Sequence, residues 1–329
     1  MREKIAAAKR RGAAIRYNNP AKSLSVVLVV GEHGKSATAQ LLKGIFNESG
    51  KKTGILPSQF RHTIQGFYQG LSRAKKQGLK TVIVEVNEDL LSAGALGDIT
   101  IDTVIFTTDF DQYESILSLS PQKVVSPTSL DMSSSSVEPY QHITFGDDVI
   151  ADARIESYKL YRKGTEVSLV IDHQTNLQVA TQLVGYANAR NVAAAVAASY
   201  VLGGDSADMQ EGVADTEPLD GQFERLNVRE QVDSYIDRAN DETSLRYALL
   251  SASELKKRRL LIVLDDDAID RTMIDLAKDA SDRLIVVDYK DTVPAGVEVI
   301  STTLESVQKI FRGSKQGDMV LLIGKTFSS

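Results

Sequence analysis

Gly31, Gly34, Lys35 and Ser36 form a Gly-x-x-Gly-Lys-Ser turn. An apolar run from Val26 to Val30 precedes it, and Leu41, Leu42, Ile45 and Phe46 follow at helical spacing. In that order each residue type has a chemical use. Glycines let backbone N–H groups close on phosphate oxygens, and the N-terminus of the following helix presents a positive dipole. The lysine adds charge, and the serine hydroxyl can ligate Mg²⁺. Strand, glycine turn and helix is the setting in which such a loop cradles phosphates, so a nucleoside triphosphate is the expected ligand. The full loop has a further glycine five residues before Gly34; here that position is Val29, and the motif is the shortened form. The alternative is a strand-to-helix turn that uses its glycines only for close packing.

These residues need a scaffold. Thr81 to Val86 reads as a buried strand carrying Glu85 near its C-terminal end, and Asp102 to Thr107 as another. A short strand begins near Thr53, and residues 64–78 read as a helix. Strands alternating with helices imply a mainly parallel sheet, whose ligands sit at the C-terminal strand ends. Gly31, Glu85 and Thr108 all fall at such ends. The Ser- and Pro-rich stretch 115–139, with Ser133 to Ser136, reads as a loop. Residues 142–182 read as short strands, and Ala187 to Leu202 as an Ala-rich helix ended by Gly203 and Gly204. A boundary is expected near Gly221–Glu224. Beyond it, strands at 232–237, 259–264, 283–288 and 319–323 alternate with helices, as in a small Rossmann-like domain. The expected fold is α/β: a mainly parallel sheet domain with a phosphate loop, then a smaller Rossmann-like domain. The expected boundaries are a basic leader over 1–22, a central domain over 23–224 and a C-terminal domain over 225–329.

A chain of 329 residues is long enough for two such domains. Its net charge of −6 argues against a general nucleic-acid binder. It has no cysteine, which excludes disulfides and thiolate chemistry. No apolar run approaches the about 20 residues that span a bilayer, and a cytoplasmic location is expected. The basic leader (Arg2, Lys4, Lys9, Arg10, Arg11, Arg16 and Lys22 against Glu3) is expected to be a solvated helix, with contact to a membrane surface the lesser reading. The four histidines, His33, His62, His142 and His173, show no metal-ligand spacing.

Several separated segments resemble one family, the Mur ligases, and most of all its MurE-type branch in a short form without the N-terminal UDP-binding domain. Gly31-Glu32-His33-Gly34-Lys35-Ser36-Ala37-Thr38 is similar to that family's Gly-Thr-Asn-Gly-Lys-Thr-Thr-Thr loop. Val84-Glu85-Val86-Asn87 resembles its Glu-Val-Ser segment, and Phe106-Thr107-Thr108 with Asp111-Gln112 its Phe-Thr-Asn…Asp-His. Gly185 to Ala194 resembles the start of its asparagine-bearing helix, with Asn188 and Asn191. Gly221-Gln222-Phe223-Glu224, Ile236-Asp237-Arg238-Ala239-Asn240 and Leu321-Leu322-Ile323-Gly324-Lys325 follow in the family's order.

The resemblance implies an ADP-forming amide ligase that uses ATP and Mg²⁺, with a small-molecule acceptor such as a muramyl-peptide precursor, an amino acid as the amine, and no nucleic acid. It implies catalytic roles for Lys35 and Glu85, and nucleotide contacts from Gly31, His33, Gly34, Lys35, Ser36, Ala37, Asn191, Gln222 and Asp237. Ser36 and Glu85 would hold the metal, and Asp237 the ribose. Asn188 and Asn191 can equally be helix-capping residues, and Asp237 a cap or surface acid.

The departures are specific. His33 replaces an asparagine, Gln112 the metal-site histidine and Gln222 an arginine that touches the nucleotide. The helix carrying a carbamylated lysine is deleted, leaving Lys123 as the nearest lysine. Asp265-Asp266-Asp267 stands in place of a glycine-rich loop, and the Asp-Asn-Pro-Arg motif has no counterpart in Val286 to Asp291. The competing expectations are a degenerate nucleotide-binding relative with a regulatory or scaffolding role, and a polyglutamate-type ligase on another acceptor.

Overall fold

A computed structural model describes residues 2–132, 141–265, 269–301 and 304–324. The chain divides into two compact units. The first takes in residues 1–157, 167–180 and 189–216, the second residues 158–166, 181–188 and 217–329.

The larger sheet has nine strands; the first six in chain order lie wholly in the first unit, and the last three carry residues of both units. Its strands are β1 (Ser25–Val30), β2 (Thr53–Ile55), β3 (Thr81–Glu85), β4 (Thr103–Phe106), β5 (Lys123–Pro127), β6 (Gln141–Gly146), β7 (Ala153–Tyr161), β8 (Gly164–Ile171) and β9 (Thr175–Thr181). Their order is β2-β3-β1-β4-β5-β6-β7-β8-β9, and the pairings from β2 through to β7 are parallel. Val26 to Val30 are all essentially buried. A strand covered on both faces reads as a continuous apolar run rather than an alternation, which is why β1 is visible in the sequence.

The helices of this part of the chain are α1 (Arg2–Arg16), α2 (Lys35–Glu48), α3 (Ile64–Lys76), α4 (Glu88–Ser92), α5 (Tyr113–Leu117), α6 (Tyr186–Val201) and α7 (Ser206–Ala214). Thr63 caps α3 by accepting from the Gly66 N–H. Ile64, Phe67, Tyr68 and Leu71 of α3 then form one buried stripe that joins Val26, Leu28 and Val30 in the core.

Two expectations change here. The N-terminal helix is not a solvated leader. Ala13 is buried, Ala6, Ala14 and Tyr17 pack against the core, and Arg10 is only 3 % exposed. The Arg10 guanidinium donates to Asp98 at 2.7 Å, to the Gly94 carbonyl at 2.7 Å and to Glu3 at 2.7 Å. Small alanines let this helix lie close to its neighbours without the large apolar residues that would advertise burial. The stretch 115–139 is also not all loop, because it holds the end of α5 and the whole of β5. Two valines between Ser and Pro neighbours carry too little periodicity to announce a strand, and β4 and β6 on either side supply its ladder. Ser133 to Ser136 lie outside the described residues.

The second unit carries β10 (Glu224–Leu226), β11 (Asp233–Asp237), β12 (Leu260–Leu264), β13 (Arg283–Val287), β14 (Glu298–Ile300) and β15 (Met319–Ile323), in the order β10-β11-β15-β12-β13-β14. Only β10 with β11 is antiparallel. Helices α8 (Glu242–Leu255), α9 (Arg271–Ala280) and α10 (Leu304–Gly313) accompany them. This is the small Rossmann-like sheet expected from the strand and helix alternation.

Candidate nucleotide-binding site

The turn between β1 and α2 is the centre of the site. Gly31 takes φ 139° and Gly34 φ 77°, conformations that side-chain-bearing residues rarely adopt. Space forbids a side chain as well. A Cβ on Gly31 would stand 2.3 Å from Thr107 Oγ1, and one on Gly34 2.3 Å from Asn191 Oδ1. The structure thus brings Asn191 to the loop from a point far along the chain. Thr107, at the end of β4, donates to the His33 carbonyl at 2.5 Å and the Val30 carbonyl at 3.1 Å. Thr108 Oγ1 accepts from the Glu32 N–H at 3.1 Å. These two threonines tie the loop to the end of β4, and Ala37 is buried in the first turn of α2.

Lys35 donates through Nζ to the Gly31 carbonyl and, at 3.2 Å, to that of Glu32. Burial pushes its ammonium below the usual lysine range, Glu85 and Glu32 pull it back, and Arg61 lowers it further. Ser36 donates to Glu85 Oε2 at 2.8 Å. These two residues sit 49 positions apart in sequence; parallel pairing of β1 with β3 puts their strand ends side by side. A serine hydroxyl and a carboxylate oxygen at this separation are the hard donors that Mg²⁺ accepts alongside phosphate oxygens and water, so the pair fits that ion. No cluster of three or more His, Cys, Asp or Glu suited to a metal exists among the described residues.

Sequence reasoning missed Arg61. It follows a single 3₁₀ turn, Ser58–Phe60, and its guanidinium lies 3.3 Å from Glu85 Oε2. The signal was available, because the residues after β2 lie at the same C-terminal sheet edge as the loop. Thr107 was noted only as part of a family motif.

Gln112 is exposed and begins α5 without a side-chain capping bond. Lys123 starts β5 opposite Thr103, at the N-terminal end of the sheet, away from the phosphate loop. Asp266, Asp267 and Lys325 lie outside the described residues. In the second unit, buried Asn188 donates to the Val184 carbonyl at 2.8 Å, and Gln222 is exposed.

Asp237 accepts the Phe223 N–H on Oδ2 at 2.9 Å and the Ala239 N–H on Oδ1 at 2.8 Å, so it orders its own surroundings. Burial pushes its carboxyl up to about 7 against the pull of those two donors. A carboxyl raised in the fold favours folding when protonated. Its contribution is therefore full below the unfolded value near 3.8 and lost as pH rises through about 7. Carbon-detected NMR should show the Asp237 carboxyl titrating near 7. A midpoint near 4 would refute the burial argument.

No family model matches the chain. It is 24 % identical over 372 aligned positions to the UDP-N-acetylmuramoyl-L-alanyl-D-glutamate–2,6-diaminopimelate ligase of Geobacillus thermodenitrificans, spanning 94 % of this chain and 75 % of that one. The fold is similar to the UDP-N-acetylmuramoylalanyl-D-glutamyl-2,6-diaminopimelate–D-alanyl-D-alanyl ligase of Acinetobacter baumannii, with TM-score 0.77, 17 % identity and coverage of 98 % and 77 %. It is also similar to the MurF ligase of Thermotoga maritima in complex with ADP, with TM-score 0.74, 13 % identity and coverage of 99 % and 81 %. Among the described residues no helix is long and apolar enough to cross a membrane. In sequence the chain is similar to MurE-type ligases, and in fold to Mur ligases.

Proposed function

We propose that this protein is a cytoplasmic ADP-forming ligase that joins a carboxylate to an amine at the expense of ATP. The observation that carries the reading is the contact of Ser36 with Glu85 at the mouth of a loop that also holds Lys35. In the proposed reaction the loop N–H groups and Lys35 bind the phosphates, and Ser36 and Glu85 hold Mg²⁺, which would supply charge neutralisation there. Asn191 beside Gly34 keeps the loop in register. The terminal phosphoryl group passes to the acceptor carboxylate. The amine then attacks the acyl carbon, phosphate leaves with the bonding pair, and the nitrogen gives up a proton. The relative from Geobacillus points to a muramyl-peptide acceptor and an amino acid as the amine. The domain reading is a central domain over 23–224 and a C-terminal domain over 225–329. Asp237 and Gln222 are the C-terminal residues proposed to meet the nucleotide.

A second reading has its own support. Gln112 is exposed and Lys123 lies at the far end of the sheet, so neither supplies a further metal position near Glu85. A protein that binds nucleotide without turnover would look like this. Phosphate release with ATP, Mg²⁺, muramyl-peptide acceptors and a panel of amino acids separates the two. Turnover that falls at least about a hundredfold in Glu85→Ala establishes the ligase. ATP binding without turnover on any acceptor establishes the non-catalytic relative.

A further inference from the structure

Arg61 is held firmly at the phosphate-loop mouth. Its side chain is 14 % exposed, as is that of Glu85. One guanidinium nitrogen donates to the Glu85 carbonyl at 3.0 Å and lies 3.3 Å from Glu85 Oε2. That same Oε2 accepts the Ser36 hydroxyl at 2.8 Å. The flanking chain is pinned on both sides. His62 Nδ1 meets Asp89 at 2.7 Å, and Phe60 packs so closely on Gly70 that a Cβ there would stand 2.9 Å from it. Yet the guanidinium is not fully used, because Arg61 Nε is buried with no hydrogen-bond partner.

The Glu85 oxygen that accepts from Ser36 therefore already faces a fixed positive charge. A divalent cation bound there alone would sit within a few ångströms of the guanidinium and be repelled by it. A triphosphate reverses that balance. Its charge outweighs the repulsion, and the partly exposed Arg61 side chain carries a charged, planar donor group suited to a phosphate oxygen.

We propose that Arg61 couples metal to nucleotide at this site: it neutralises Glu85 beforehand, resists a bare divalent cation, and donates to the terminal phosphate once nucleotide and metal arrive together. The proposal rests on the nucleotide-binding reading above and adds to it an order of events carried by this chain's own arginine.

The test measures two affinities in wild type, Arg61→Ala and Arg61→Lys. The probes are Mn²⁺ alone, followed by electron paramagnetic resonance, and a non-hydrolysable ATP analogue with Mg²⁺, followed by calorimetry. In Arg61→Ala, binding of Mn²⁺ alone should tighten by about tenfold, because Glu85 loses one of the two positive charges that act on it, the other being Lys35. Binding of the analogue should weaken by about tenfold in the same protein, because a charge-assisted donor is gone. Arg61→Lys should restore most of the resistance to bare Mn²⁺, since it keeps the charge. A merely structural arginine would weaken both affinities or neither, and either result overturns the proposal. Failure of wild type to bind the analogue at all overturns the nucleotide-binding reading together with the proposal. Analogue binding that is normal in wild type and unchanged in Arg61→Ala overturns the proposal alone.

Discussion

Lys35→Ala is expected to lower the affinity for Mg²⁺-ATP by about a hundredfold. Hydrogen bonds to charged groups contribute about 1.5–3 kcal/mol each, and losing one or two of them at a triphosphate corresponds to a loss of that size. The structure makes this variant a clean one. The hydrogen bonds of Lys35 go to the Gly31 and Glu32 carbonyls of its own loop rather than to a distant segment, so its loss is expected to leave the fold nearly unchanged. Calorimetry should find nucleotide binding lost and the thermal unfolding transition almost unmoved. Equal ATP binding by Lys35→Ala and wild type would remove the glycine loop from the site altogether.

Gly212→Ala should destabilise the first unit by about 2–3 kcal/mol. The sign is what matters. In an ordinary helix position, alanine in place of glycine stabilises by roughly 0.5–1 kcal/mol. Here α7 crosses α2 with backbone against backbone. A Cβ on Gly212 would stand 2.3 Å from the Ile45 nitrogen, and one on Gly44 2.4 Å from the Gly212 carbonyl oxygen. No flexible side chain can give way, so α7 or α2 has to shift, and α2 is the helix whose first turn bears Lys35 and Ser36. Urea unfolding of Gly212→Ala, read beside Gly12→Ala, tests this. Gly12 lies in α1 with nothing within 4 Å of its would-be Cβ and should show the ordinary stabilisation. Stabilisation by both substitutions would contradict the close crossing.

The sequence determined the features that depend on neighbours in the chain. β1, the glycine turn and α2 were legible because a buried parallel strand is apolar throughout and because Gly31, Gly34, Lys35 and Ser36 are contiguous. Glu85 was legible as a partner of Ser36 because parallel strands end at one edge. The alternation of strands and helices likewise announced both sheets. Tertiary structure decided whatever depends on contacts between distant segments. It put Arg61 on Glu85, a pairing with no local pattern, and it brought Asn191, marked in the sequence only by the segment Gly185 to Ala194, beside Gly34. It buried Arg10 through a helix whose alanines look solvent-tolerant, and it drew β5 from two valines by giving them strands on both sides. It left Lys123 at the wrong end of its strand, because a parallel sheet offers its ligand only the C-terminal edge. It gave each oxygen of Asp237 a backbone N–H, from Phe223 and from Ala239. Chemistry written in adjacent residues survives translation into a sequence pattern; chemistry assembled by packing does not, because the pairing energy lies between residues whose separation along the chain carries no signal.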